Sequence, residues 1–432
     1  MKFIDLFSGI GGFRSGLEKN GHKAIAYSEV DKYAKQSYTS IYETSEELDL
    51  GDITKVSNEQ WQDLKGKANI IVGGSPCQSF SLAGKRRGFE DTRGTLFFHY
   101  VNAVKEVQPE FFIFENVKGM ISHDKGETIK TVLSSFNEIG YDIDFDVFNS
   151  KYYGVPQNRE RVYIVGKRKD LGINESRESV KGKKKLDQLK NWAIENINYV
   201  KLLPENNNEN VEKRLVDVLE DKVDEKYYLS EEKTKKLTLD YDLGADIEPI
   251  INVLGNTSAT GYKAHDIHDA NGLSPTIAAR DYKGPKQIVV REATKQGYAI
   301  AEQGDSVNVT YPDSKTRRGR VGKQVAQTLQ AGEVNQGVVI DDTQGYDGTR
   351  IYKGVSPTIR SSRSGLKTID NLRIRKLTPL ECWRLQSFTD EQFYKAKDSG
   401  VSNSQLYKQA GNAVTVNVVD AITKELFKHG LK

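Results

Sequence analysis

The run Asn69-Ile70-Ile71-Val72 leads directly into Gly73-Gly74-Ser75-Pro76-Cys77-Gln78-Ser79-Phe80-Ser81. A short, β-branched apolar run reads as a buried strand. The Gly, Ser and Pro that follow it read as the turn that ends the strand. A thiol on the loop leaving such a strand sits where open α/β sheets place their chemistry. Working outward, residues 2–7, 23–28, 111–114, 142–148 and 162–166 read as further strands, and 13–20, 31–42, 95–107 and 127–139 carry helical periodicity. This alternation predicts an α/β fold, a doubly wound and mostly parallel sheet of Rossmann-like type. Two more chemical groups flank apolar runs. Phe111-Phe-Ile-Phe114 is followed by Glu115-Asn116-Val117, and Gln157-Asn-Arg159-Glu-Arg161 precedes Val162-Tyr-Ile-Val165.

The chain of 432 residues is long enough for two or three domains. It contains no apolar run of about 18 residues, so no membrane span is expected. The N-terminus enters a strand pattern at once, with no room for a signal peptide. Two cysteines far apart in sequence fit a reducing, cytoplasmic setting. The six histidines are scattered, His265 and His268 being the nearest pair, and no metal site is expected. Net charge is +3, and its distribution is uneven: 171–250 holds 14 basic and 18 acidic residues, 251–374 holds 17 and 12, and 375–432 holds 9 and 6. The positive excess in the second half fits a phosphate-facing surface.

The expected domains are 1–171 (α/β), 172–245 (a charged helical hinge, with a helix period over 215–223), 246–372 (a smaller, β-rich domain) and 373–432 (where helical patterns return). Ser274-Pro-Thr-Ile277, Ala326-Gln-Thr-Leu329 and Ser356-Pro-Thr-Ile359 form a quasi-repeat. It reads either as a recurring strand–turn unit or as a set of DNA-touching loops. The basic candidates there are Arg280, Lys283, Arg317, Arg318, Arg320, Arg360 and Arg363. Arginine reads guanine bidentately and grips phosphate equally well.

Phe7-Ser-Gly9-Ile10-Gly11-Gly12 follows the first strand and opens a helix, and Glu29 follows Gly9 by 20 residues at the end of the next strand. Glycines permit a tight turn and close backbone approach, and the acid can bond ribose hydroxyls. These features alone fit a nicotinamide dinucleotide as well. The third glycine of that pattern, however, is replaced by Arg14.

Taken together and in order, these blocks resemble the bacterial-type DNA (cytosine-5)-methyltransferases of restriction–modification systems. The matching segments are Asp5-Leu-Phe-Ser-Gly-Ile-Gly-Gly-Phe13, Glu29-Val30-Asp31, Gly51-Asp52-Ile53, Pro76-Cys77, Glu115-Asn116-Val117 and Gln157 to Arg161, with Arg375-Lys-Leu-Thr-Pro-Leu-Glu-Cys-Trp-Arg-Leu-Gln-Ser-Phe388 and Gln409-Ala-Gly-Asn-Ala-Val414 near the C-terminus. The resemblance implies S-adenosylmethionine as cofactor. The contacts it carries over are Phe7, Gly9, Ile10, Gly11, Glu29, Val30, Asp52, Ile53, Pro76, Leu96, Asn412 and Val414. It implies duplex DNA as substrate, a last helix packed beside the N-terminal strands, and hence a catalytic and cofactor-binding domain split between 1–171 and 373–432 around an inserted target-recognition domain at 246–372.

The resemblance also assigns the chemistry. Cytosine C5 is a weak nucleophile until a thiolate adds to C6, which makes Cys77 the nucleophile. Glu115 is placed to protonate N3, Arg161 to bond the O2 carbonyl, Arg159 to support the cysteine loop, and Asn116 to hold the Glu115 loop or meet the cytosine amino group. The base must leave the stack. The loop 81–95, with Lys85, Arg86 and Arg87, is expected to act as a basic lid, and Ala83 stands where some family members carry a serine. Cys382, beside Trp383 in a helical pattern, is expected in the core. A monomer suffices, since one protein acts on one strand at a time, and a cognate restriction endonuclease would act separately. The alternatives are a tRNA cytosine-5 methyltransferase, a non-catalytic DNA-binding regulator on the same fold, and a nicotinamide dehydrogenase, which offers Cys77 no role.

Overall fold

The computed structural model describes residues 1–76, 96–172, 175–205, 211–237, 253–256, 266–268, 287–295, 297–314, 316–331, 335–341 and 372–428. The chain forms two compact units: Met1–Lys213 with Gln330–Glu333 and Pro379–Lys432, and Arg214–Leu329 with Val334–Thr378.

The first unit is built on seven strands: β1 (Lys2–Leu6), β2 (Lys23–Ser28), β3 (Leu48–Asp49), β4 (Ile70–Gly73), β5 (Phe111–Val117), β6 (Tyr141–Asn149) and β8 (Glu160–Arg168), β7 being the two-residue Gln157–Asn158. Their order is β3-β2-β1-β4-β5-β8-β6. The strands from β3 to β5 run parallel, and β8 runs antiparallel to both its neighbours. The apolar runs are nearly continuous because the sheet is covered on both faces. Ile4, Leu6, Ile71, Phe112 and Phe114 turn to one face, with Trp61, Phe97, Tyr100 and Phe136. Phe3, Ile70, Val72, Phe111 and Ile113 turn to the other, with Leu17, Val418, Ile422 and Leu426. Each such burial stabilises by roughly 1.5–3 kcal/mol.

The first face is covered by α3 (Asn58–Gln62), α4 (Leu96–Val107) and α5 (Glu127–Glu138), and the second by α1 (Gly12–Glu18) and the C-terminal α11 (Val416–Lys428). A side chain at Gly16 would begin 2.6 Å from Val419, so only glycine lets α1 and α11 approach this closely. Asn20 and Asp420 seal the contact at 2.8 Å. Strand order reverses between β1 and β4, and the crevice beyond their carboxyl ends is where ligands bind in such sheets.

The stretch expected to be a hinge divides differently. Residues 175–205 belong to the first unit. Asp144, on β6, is fully buried and accepts hydrogen bonds from Arg177 at 2.6 Å and from the amides of Leu202 and Leu203 at 2.8 Å. Leu189 and Ala193 of α6 (Lys185–Asn196) are buried in the main core. A narrow apolar stripe inside a Lys/Glu-rich sequence thus anchors the segment. The helix expected over 215–223 reduces to the short 3-10 turn Leu215–Val218.

The second unit is antiparallel. Strands β13 (Ser306–Asn308), β14 (Val321–Gly322), β16 (Gln336–Asp341) and β17 (Leu372–Lys376) form one sheet in the order β14-β13-β16-β17, and Gln287–Arg291 pairs with Tyr298–Glu302. Val290, Ala301, Val307, Val339 and Ile374 make its small core. Because Leu372–Lys376 pairs with β16, the boundary falls after Thr378, a few residues beyond the expected one. Among the described residues, no helix is long and apolar enough to cross a membrane.

Candidate active site

Three strand ends are tied together at the crevice. The Ser8 amide donates to the Ser28 carbonyl at 3.0 Å, and Ser28 Oγ donates to the Gly51 carbonyl at 2.7 Å. The loop after β1 is sharply wound, with φ of 55°, 55° and 81° at Phe7, Gly9 and Gly11. One oxygen of Glu29 accepts from the Gly9 amide at 2.7 Å, and the other accepts from the amides of Val30 and Asp31 at 2.8 Å. Asp52 accepts from the Thr54 amide and hydroxyl at 3.0 and 2.8 Å, which holds its carboxyl below the usual range. Val30 and Asn412 are exposed, Phe7, Leu96 and Val414 are half-buried, and Pro76 is exposed at the end of the described stretch. Ile10 and Ile53 are buried in the core, so they can serve this crevice only as its wall. Glu29 and Asp52 offer acceptors to hydroxyl and amino donors, which fits a nucleoside. Arg14 explains the missing glycine. It is buried, paired with Glu18 and Glu47 at 2.8 Å, and stacked 4.3 Å from the Tyr42 ring.

The second cluster lies at the ends of β4, β5 and β8. A period of two places Arg159, Arg161 and Tyr163 on one side, with Glu115 directly paired to Tyr163. Arg161 Nε lies 3.0 Å from Glu115. Burial pushes the Glu115 carboxyl up, against the pull of Arg161 and Arg159. Burial and the neighbouring Arg161 bring the Arg159 guanidinium down to about 9. The β4 exit passes directly over this carboxyl. A side chain at Gly74 would begin 2.8 Å from Glu115 Oε2 and 2.9 Å from its carbonyl oxygen. Asn116 Nδ2 donates to the Ser75 carbonyl at 2.9 Å, pinning the strand that runs on into Cys77. Cys77 itself, Lys85, Arg86 and Arg87 lie outside the described residues.

Sequence reasoning missed the supports of this cluster. Arg159 Nη2 donates to the carbonyls of Gly411 and Ala413 at 3.2 and 2.7 Å. Gln386 donates to Gln157 at 3.0 Å and accepts from Thr415 at 3.0 Å, while Ser150 and Thr415 share a bond of 2.8 Å. The two C-terminal blocks therefore brace the arginine loop. Gln157, Gln386, Gly411 and Ala413 lie in segments that carry the family resemblance, but nothing in the sequence showed that these segments meet. Cys382 is buried, as expected.

Of the basic residues expected to face DNA, Arg280, Lys283, Arg360 and Arg363 lie outside the described residues. Arg318 is exposed and Arg317 half-exposed. Arg320 departs from the expectation. It is 1% exposed and donates to the carbonyls of Asn308, Thr310 and Tyr311 at 3.1, 3.1 and 2.8 Å, so its guanidinium is spent inside the fold.

Known proteins resemble this chain along nearly its whole length. The family described as C-5 cytosine-specific DNA methylase matches residues 1–428. The chain is 40% identical to the orphan methyltransferase M.SPRI of Bacillus phage SPR, over 99% of this chain and 97% of that one. It is 29% identical to the type II methyltransferase M.BanI of Aneurinibacillus aneurinilyticus, over 100% and 96%. The crystal structure of S. pombe Dnmt2 methyltransferase superposes with a TM-score of 0.52 at 16% identity, covering 99% and 98%, a likeness of fold. Matched almost from end to end, the chain belongs to the C-5 cytosine-specific DNA methylase family and is a DNA (cytosine-5)-methyltransferase.

Proposed function

We propose that the enzyme methylates a cytosine flipped out of a short, specific duplex sequence, with Cys77 as nucleophile and S-adenosylmethionine held by the crevice at Phe7–Gly11, Glu29 and Asp52. The observation that carries this reading is the buried Glu115 carboxyl, seated against the strand end that leads to Cys77 and flanked by Arg161 at 3.0 Å. The cofactor supplies an electrophilic methyl group on a sulfonium. The Cys77 thiolate adds to C6 of the ring while Glu115 gives its proton to N3, so no net charge builds on the base. The enamine carbon C5 would then take the methyl group as its bond to the sulfonium sulfur breaks, leaving a neutral thioether. Transfer of the C5 proton to a water molecule then expels the Cys77 thiolate, and the N3 proton returns to Glu115. Arg161 donates to the O2 oxygen, and Arg159, anchored through Nη2, steadies the loop.

The second unit, with Arg317 and Arg318, serves to read the DNA. The relatives from Bacillus phages are named orphan methyltransferases, which supports action without a restriction endonuclease partner. The test is base-resolution methylation sequencing of plasmid from cells expressing the enzyme, beside a Cys77→Ala control. Protected cytosines confined to one short motif and lost in the control are expected. No protected cytosine from folded, cofactor-binding protein would refute the reading.

A further inference from the structure

The loop 309–320, which joins β13 to β14, presents an aromatic side chain in an unusual way. Tyr311 is 69% exposed, the most exposed aromatic among the described residues. Its φ is +48°, a left-handed conformation that bulky residues rarely adopt. Pro312 follows it, and the residue before proline is steered to extended backbone, so the conformation is disfavoured twice.

The surroundings impose it. The buried Arg320 clamps the carbonyls of Asn308, Thr310 and Tyr311 together. Asn308 accepts from the Thr310 amide and hydroxyl at 3.2 and 2.6 Å, and the Ser314 amide closes on the Tyr311 carbonyl at 3.0 Å. Glu292 holds the far side of the loop through the Arg320 amide at 2.6 Å. All of this rigidity ends on a ring that adds nothing to the core. Strain that the surroundings over-determine is found where a protein meets a ligand.

We propose that Tyr311 is a specificity-determining residue that contacts the base edges of the DNA sequence this enzyme selects. Arg317 and Arg318, on the same loop, supply charge complementary to phosphate, and Asp313 is offset by Lys236 at 3.8 Å. An uncharged ring can pack on a pyrimidine methyl group while its hydroxyl bonds a base edge. The inference rests on the second unit's reading of DNA.

The test compares wild type, Tyr311→Gly and Arg318→Ala as full-length proteins, with methylated motifs mapped at base resolution and melting temperatures measured. Glycine adopts the left-handed conformation freely, so Tyr311→Gly is expected to melt at or above the wild-type temperature. Its preference at one base pair of the motif should relax by roughly 10-fold or more. Arg318→Ala should keep the motif and lower the salt slope of DNA binding by about one. A Tyr311→Gly enzyme that marks the wild-type motif at the wild-type rate overturns the inference and leaves the DNA reading intact. A drop of several degrees in melting temperature overturns it too, by showing a packing role. No marked cytosine in wild type overturns both.

Discussion

Gly74→Ala tests the arrangement of the active site with a single methyl group. That methyl would lie 2.8 Å from Glu115 Oε2 and 2.9 Å from the Glu115 carbonyl oxygen. The carboxylate can swing, but the carbonyl belongs to a central strand and cannot. Relief must come from the β4 exit, which has to move by about 0.5 Å to reach ordinary contact distance. That shift stretches the 2.9 Å bond from Asn116 to the Ser75 carbonyl. Overpacking costs about 1–3 kcal/mol, and losing the bond adds about 0.5–1.5 kcal/mol. For a unit of this size the melting temperature should fall by roughly 4–10 °C. Catalysis should suffer more, because a small displacement between Cys77 and its proton donor can cost about 100-fold in rate. The assay is single-turnover methyl transfer at saturating cofactor and DNA, alongside thermal melting. Gly119→Ala is the control: its new methyl meets nothing nearer than Val117 at 3.8 Å, and it should leave both readouts unchanged. Wild-type turnover by Gly74→Ala would refute the claim that residues 74–76 are seated on Glu115.

Glu115→Gln keeps a hydrogen-bond donor but has no proton to give, so turnover should fall by about 10²–10⁴-fold. Because burial raises the Glu115 pKa, wild-type turnover should decline only as pH rises past that raised value, a limb that the glutamine variant should lack; an unchanged pH profile would count against the proton-donor role. His22, packed 4.3 Å from the Phe427 ring, is lowered to about 4 by burial and the nearby N-terminal ammonium. The unfolded chain therefore takes up this proton first. Stability is full above about pH 6.5 and falls as pH drops toward 4, by about 1–2 kcal/mol after discounting for the half-exposed ring. His22→Phe should flatten that part of the melting curve against pH, and an equal acid slope in the two proteins would refute the assignment.

The sheet was legible because both its faces are covered. A strand such as Ile70–Gly73, apolar on every residue, stands out from its surroundings, and so does Phe111–Val117. Glu115, Arg159 and Arg161, the residues proposed to act on the base or steady the loop, stood out because each lies where such a run ends. Their supports were not. Gln386 and Thr415 become meaningful only when residues more than 200 positions apart meet around Gln157 and Ser150, and no local pattern encodes that pairing. The stretch 175–205 misled for a related reason: its composition is that of a solvated linker, while a few residues, Arg177, Leu189 and Ala193, decide where it docks.

Arg320 and Tyr311 carry the same point into the second unit. A run of Arg317-Arg318-Gly319-Arg320 looks like one electrostatic patch in sequence. Burial divides it: Arg318 is exposed, while Arg320, just before β14, turns inward and clamps the carbonyl of Tyr311 nine residues earlier. The inward arginine replaces water with three carbonyls, an exchange that is favourable only if those carbonyls are held in place, so it rigidifies the turn that carries Tyr311. Charge counting points only to the basic side chains Arg317 and Arg318. The residue proposed to distinguish one sequence from another, Tyr311, is uncharged, and what singles it out is its strained backbone and exposed ring rather than composition.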